Sequence, residues 1–299
     1  MKTLMLIAAL GAVIPAAPVL AQHDHAGQAA PGRAGGGERP PGRPALREWT
    51  KQPLLIGRGE RGERNSALVS PRNLAASNVT VFASEGAPER LKVDYPVESE
   101  GARISSVAPK TGNYHWVVAR EETPEAIKVA STAWYFGNPG ASPKDLLTVP
   151  KHELEIVPAP LPREHRRYRE AEKWNFLVRF EGKPLASQPV VMETEFGSRV
   201  TAVTNAEGIA TLVFPRDFKP APEAAGEGDE RRRRGGFVLS TEKTLGDKRY
   251  LTAFNHQYGQ DPERNRSLAW GAAFGVLGMV AGVPLLRRRK VMEGGVDHA

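Results

Sequence analysis

Across residues 174–214, apolar and polar positions alternate in short bursts that are interrupted by turn residues. Successive side chains of an extended chain point to opposite faces. Trp174, Phe176, Val178 and Phe180 therefore line one face of a strand, while Asn175 and Arg179 occupy the other. Residues 188–195, 199–204 and 209–214 repeat the pattern. The intervening residues 181–184 and 205–208 supply the glycine, proline and asparagine that tight reversals need. Four short strands joined by turns predict an antiparallel sandwich.

The same alternation recurs upstream, in residues 78–84, 90–95, 103–107, 113–120 and 126–136, again separated by glycine and proline. It predicts a first sandwich over residues 48–157, with residues 154–158 leading into a second over residues 158–258. Residues 215–236 are rich in proline, alanine and charge and predict a loop inserted in the second sandwich. Residues 237–245 and 248–258, joined around Gly246 and Asp247, predict a closing hairpin. The expected fold is all-β, with two tandem antiparallel Ig-like sandwiches followed by one C-terminal transmembrane helix.

The two ends add an address. Lys2, an apolar run over residues 4–14 and Val19-Leu20-Ala21 predict a secretory signal cut after Ala21. Residues 22–47, with Gly35-Gly36-Gly37 and Pro40-Pro41, lack apolar periodicity and predict a disordered linker. Residues 268–286 hold no charged residue, enough at about 1.5 Å per residue to cross a hydrocarbon core of roughly 30 Å. Arg287-Arg288-Arg289-Lys290 follows directly. Positive flanks stay inside, which leaves residues 287–299 cytoplasmic and the bulk of the chain in the periplasm, held at the inner membrane by a single pass. Gly271, Gly275, Gly278 and Gly282 share one face of this helix, where small residues admit a close helix partner from a homodimer or the membrane subunits of a transporter.

With 299 residues, 40% of them hydrophobic, the chain can bury two ordinary cores. The absence of cysteine means the fold is held by packing alone. The formal charge of +7 does not indicate nucleic acid, because the arginine runs lie in the expected loop and beside the membrane span, with no aromatics interleaved.

Gly182, Pro184, Leu185, Val190, Val191 and Thr204-Asn205-Ala206-Glu207-Gly208, running into Ala210 and Leu212, resemble the β-domains of carboxypeptidase regulatory regions and of the collagen-adhesin repeat B. The order of signal, strand-rich first half, Leu154-Glu155-Ile156-Val157-Pro158 link, second half and closing helix resembles the periplasmic accessory proteins of nickel-uptake complexes. That resemblance implies a metal-binding subunit of a nickel or cobalt uptake system. In that family His-x-His often opens the mature chain directly before an aromatic strand. Here His23-Asp24-His25 is separated from Trp49 by the linker.

If Ala21 is the last residue removed, His23 becomes second in the mature chain. An amino terminus, a backbone nitrogen and an imidazole can then chelate Ni(II) or Cu(II), unless Gln22 cyclises. His23, Asp24 and His25 are the candidate ligands, with His115 as a fourth. Strand alternation sets His115 opposite Tyr114 and Trp116, on a surface face. His152-Glu153-Leu154-Glu155 contains half of a zinc-protease signature and lacks the second histidine. Gly57, Gly59 and Gly62 match a dinucleotide fingerprint, but no helix of sufficient length follows. No serine elbow, cysteine nucleophile or phosphate loop is present. The expectation is a protein that is not an enzyme: an uptake accessory or, alternatively, a structural or interaction module of the cell envelope.

Overall fold

The computed structural model describes residues 48–60, 62, 63, 65–106, 114–136, 142–163, 166–219, 233–261 and 268–287. The chain is mostly β-sheet. The first half contributes β1 (Leu54–Gly59), β2 (Ser66–Arg72), β3 (Asn78–Ala83), β4 (Lys92–Pro96), β5 (Ala102–Ser105), β6 (Tyr114–Glu122) and β7 (Ala126–Tyr135). A short helix α1 (Lys144–Thr148) precedes β8 (Leu154–Pro158), β9 (Tyr168–Arg169), β10 (Lys173–Phe180) and β11 (Lys183–Pro184). Then come β12 (Pro189–Thr194), β13 (Arg199–Val203), β14 (Ile209–Val213), β15 (Arg234–Leu245), β16 (Lys248–Gly259) and the helix α2 (Leu268–Arg287).

The strands form three layers. A nine-stranded sheet in the order β13-β12-β15-β16-β7-β6-β3-β4 is joined at β16 by β9. One of its faces packs against the three-stranded sheet β1-β2-β5, and the other against a four-stranded sheet of β8, β10, β14 and β11. Alternation explains the division: Tyr114, Trp116 and Val118 of β6 enter the core under the four-stranded sheet, while Val117 and Ala119 enter the core under the three-stranded one. Phe176, Phe214, Phe237, Phe254 and Tyr168 are fully buried in the first core. Each of the four phenylalanines contributes about 1.5–3 kcal/mol of burial.

The turn at residues 205–208 works as its composition implies. The Ile209 N–H donates to Asn205 Oδ1 at 2.8 Å. Gly208 takes φ +74°, and a Cβ there would lie 2.7 Å from the Val178 carbonyl oxygen, so only glycine fits.

Two expectations need correction. The sandwiches are not tandem, because β7 of the first half and β16 of the second pair in parallel, from Ala126↔Arg249 to Ser131↔Phe254. One sheet therefore runs across the boundary expected at residue 157, and the pairing is not wholly antiparallel. The transmembrane helix is met only in part. α2 spans 20 residues and lies where that helix was expected. Among the described residues, no helix is long and apolar enough to cross a membrane. The signal, the linker, most of the expected loop (residues 220–232) and the tail from residue 288 lie outside the described residues.

Candidate functional site

The pairing of β8 with β10 sets Glu155 opposite Arg179 on the sheet face turned away from the aromatic core. Such a face is usually solvated, yet Glu155 is 1% exposed and Arg179 4%. The C-terminal end of α1 and the turn after it lie over them. The last carbonyls of a helix have no partner within it, and here Arg179 supplies them: its guanidinium donates to the Thr148 oxygen at 2.7 Å and the Val149 oxygen at 2.9 Å. Its Nε donates to Glu155 Oε2, and Glu155 Oε1 accepts the Lys151 N–H at 2.9 Å.

Lys151 closes the cluster. Its Nζ donates to the Leu146 and Val149 oxygens and lies 5.8 Å and 5.7 Å from the ring centroids of Phe82 and Trp116. Desolvation pulls its ammonium down to about 8, against the pull of the neighbouring Glu155 carboxylate. His152 is wedged beside it with a side chain 3% exposed, its Nε2 3.8 Å from Glu155 Oε1, and neither ring nitrogen makes a well-formed hydrogen bond. Burial pushes the imidazole down to about 3, so it is neutral in the fold.

Beside this cluster the outer face of β10 opens into a groove of about 1020 Å³. Leu147, Val157, Leu177 and Trp174 line it, together with the proline-rich run after β8. The Trp174 Nε1–H donates to Glu172 Oε2 at 3.0 Å, and the Arg166 guanidinium lies 5.9 Å from the Trp174 ring.

The expected ligand residues are not brought together in the described chain. His23, Asp24 and His25 lie outside the described residues. His115 is a correction: it does face opposite Tyr114 and Trp116, but it is fully buried, edge-on to the Phe136 ring at 4.8 Å. The reason is that β6 is covered on both faces. Among the described residues, no group of three His, Cys, Asp or Glu is placed to hold a metal ion. Gly57 and Gly59 belong to a strand paired with β2, which is the next element described in the chain. A Cβ at Gly57 would lie 2.3 Å from the Trp134 ring, so packing accounts for that glycine. Sequence reasoning missed Lys151 and Arg179, because nothing local signals that a polar strand face is covered.

No family model matches the chain, and no curated protein does. Among solved structures, the D0-D1 domain of Intimin is similar at 14% identity and a TM-score of 0.23, covering 70% of this chain and 97% of that one. With so low a score, the fold is read from the sheets themselves.

Proposed function

We propose that the chain is a non-enzymatic interaction module of the cell envelope: an Ig-like β-body held outside the inner membrane by α2. The observation that carries this reading is α2 itself. Its residues 268–286 hold no charge, and Leu277, Met279 and Val280 are each more than 60% exposed. Large apolar side chains around a helix, left in water, call for lipid or a partner helix. The absence of cysteine makes a labelling test clean. Lys183→Cys is expected to react with an impermeant maleimide on intact spheroplasts, and Gly294→Cys only after permeabilisation. Equal labelling of both, or release of the chain by alkaline carbonate, overturns the reading.

The uptake reading stands second, on His23-Asp24-His25 alone. Titration calorimetry of the full chain with nickel and cobalt is expected to give micromolar binding that is lost in His23→Ala/His25→Ala. Equal heats from both proteins remove it.

A further inference from the structure

The groove beside β10 combines an apolar floor with a cationic rim. Val157, Leu147 and Leu177 provide the floor. One wall carries Pro158, Pro160 and Pro162, whose rings fix φ and leave no N–H to be satisfied, so that wall is formed before any ligand arrives. Lys144, Arg166 and Lys173 also line the groove and are exposed. Among the described residues none of these three enters a salt bridge, in contrast to Arg120, Lys128 and Lys248 elsewhere on the same body. Among the described residues the lining contains one carboxylate, Glu172, which already accepts the Trp174 N–H. Arg179 also reaches the groove, but its nitrogens are committed to Glu155, Thr148 and Val149, which makes it part of the support and not a binding group.

These features restrict the occupant. A ligand must bring negative charge to three cations that have no ion-pair partner among the described residues. It must also cover an apolar floor, which a bare polyanion would leave wet. The volume sits at the upper end of the range of about 300–1,000 Å³ for small-molecule sites and suits several residues of extended chain. We propose that this groove docks an acidic extended segment of a partner protein, its carboxylates against Lys144, Arg166 and Lys173 and an apolar side chain over Leu177 and Val157. The inference rests on the interaction-module reading and names the chemistry of its partner.

The probe is a fluorescein-labelled dodecapeptide of alternating Glu and Leu, titrated into the full chain in neutral detergent and followed by anisotropy. Saturable micromolar binding is expected, weakening with salt because the rim charges are exposed. Lys144→Glu/Arg166→Glu/Lys173→Glu is expected to weaken it at least tenfold. The charge-matched control Lys51→Glu/Arg58→Glu/Lys183→Glu is expected to change it less than twofold. Leu177→Asp, which leaves the rim intact, is expected to weaken it about fivefold and keeps the test decisive should the triple variant misfold. Equal affinity of the rim variant and the parent overturns the proposal, as does equal binding of the corresponding Lys and Leu peptide. So does binding of phosphatidylglycerol vesicles through the same three cations that the peptide does not displace. If the peptide fails while the cysteine labelling holds, the groove assignment falls and the anchored module stands. Labelling that places the body inside removes the module whatever the peptide does.

Discussion

The two layers that cover the nine-stranded sheet each carry an arginine–glutamate pair on the side away from the core, and the pairs live in different solvents. In the three-stranded layer, Arg103 reaches Glu60 with side chains 68% and 20% exposed. In the four-stranded layer, Arg179 reaches Glu155 with side chains 4% and 1% exposed. The packing beneath differs as well. Ala67, Val69, Ala102 and Ile104 form a close aliphatic contact under the first layer, whereas Phe176, Phe214 and Tyr168 form a ring cluster under the second. The comparison teaches that charge chemistry alone does not set a pair's value; what lies over it does. α1 and its following turn convert one strand face from surface to interior, and the groove forms at the edge of that cover.

The largest expected effect tests this directly. Arg179→Met leaves Glu155 buried with its charge partner removed and takes away donors to two helix-end carbonyls. A loss of about 3–5 kcal/mol in urea unfolding is expected. Arg179→Met/Glu155→Leu is expected to recover most of it, since two apolar groups of similar size do not leave a charge stranded. A double variant as unstable as the single one would show that the carbonyl contacts, and not the pair, dominate.

Next in size is an acid effect confined to the same layer. Burial holds the His152 imidazole down to about 3 in the fold, against 6.5 in the open chain. Its contribution is fully present above 6.5 and is lost as pH falls from 6.5 towards 3, at about 1.4 kcal/mol per pH unit. At pH 4 this amounts to roughly 3 kcal/mol. His152→Leu is expected to show a correspondingly shallower fall in stability between pH 6.5 and 4. Parallel pH profiles for the two proteins would contradict the burial argument.

Strands with clean alternation were legible in the sequence. β8 and the hairpin of β15 and β16 fall close to where the pattern put them, because period-two burial leaves a local trace. Other features left no such trace. β1 and β2 carry Gly57, Gly59, Ser70 and Pro71, residue types that blur a period-two pattern, although Gly57 is there to admit the Trp134 ring. The parallel pairing of β7 with β16 joins residues far apart in the chain, and alternation says which side a residue faces, not which strand lies beside it. His115 and Arg179 show the same limit from another side: each points where the pattern sends it, and each is buried because another layer lies over that face. α1, five residues long, is too short to show a helical period.

A smaller effect belongs to the seam between the three-stranded layer and β16. The side-chain amide of Asn255 accepts the Leu55 N–H and donates to the Leu55 oxygen, both at 2.9 Å, closing the edge of β1 as a neighbouring strand would. Asn255→Ala leaves both backbone groups unpaired in a partly buried place, and a loss of about 2 kcal/mol is expected. Hydrogen exchange sharpens the test: the Leu55 amide is expected to lose protection while amides of β10 keep theirs. Uniform loss across both layers would mean that the clamp acts on the whole body and not on its own seam.

The smallest effect completes the contrast between the pairs. Arg103→Met removes a cation that is mostly in water, where Coulomb attraction is weak and ordering two long side chains costs nearly as much. A change below about 1 kcal/mol is expected, shrinking further as salt is raised. Glu60 is not stranded by the loss, because its other oxygen still accepts the Ser66 hydroxyl at 2.6 Å and the side chain retains access to water. A loss comparable to that of Arg179→Met would mean that the arginine–glutamate contact carries the energy wherever it sits, and that the cover over β10 adds nothing to it.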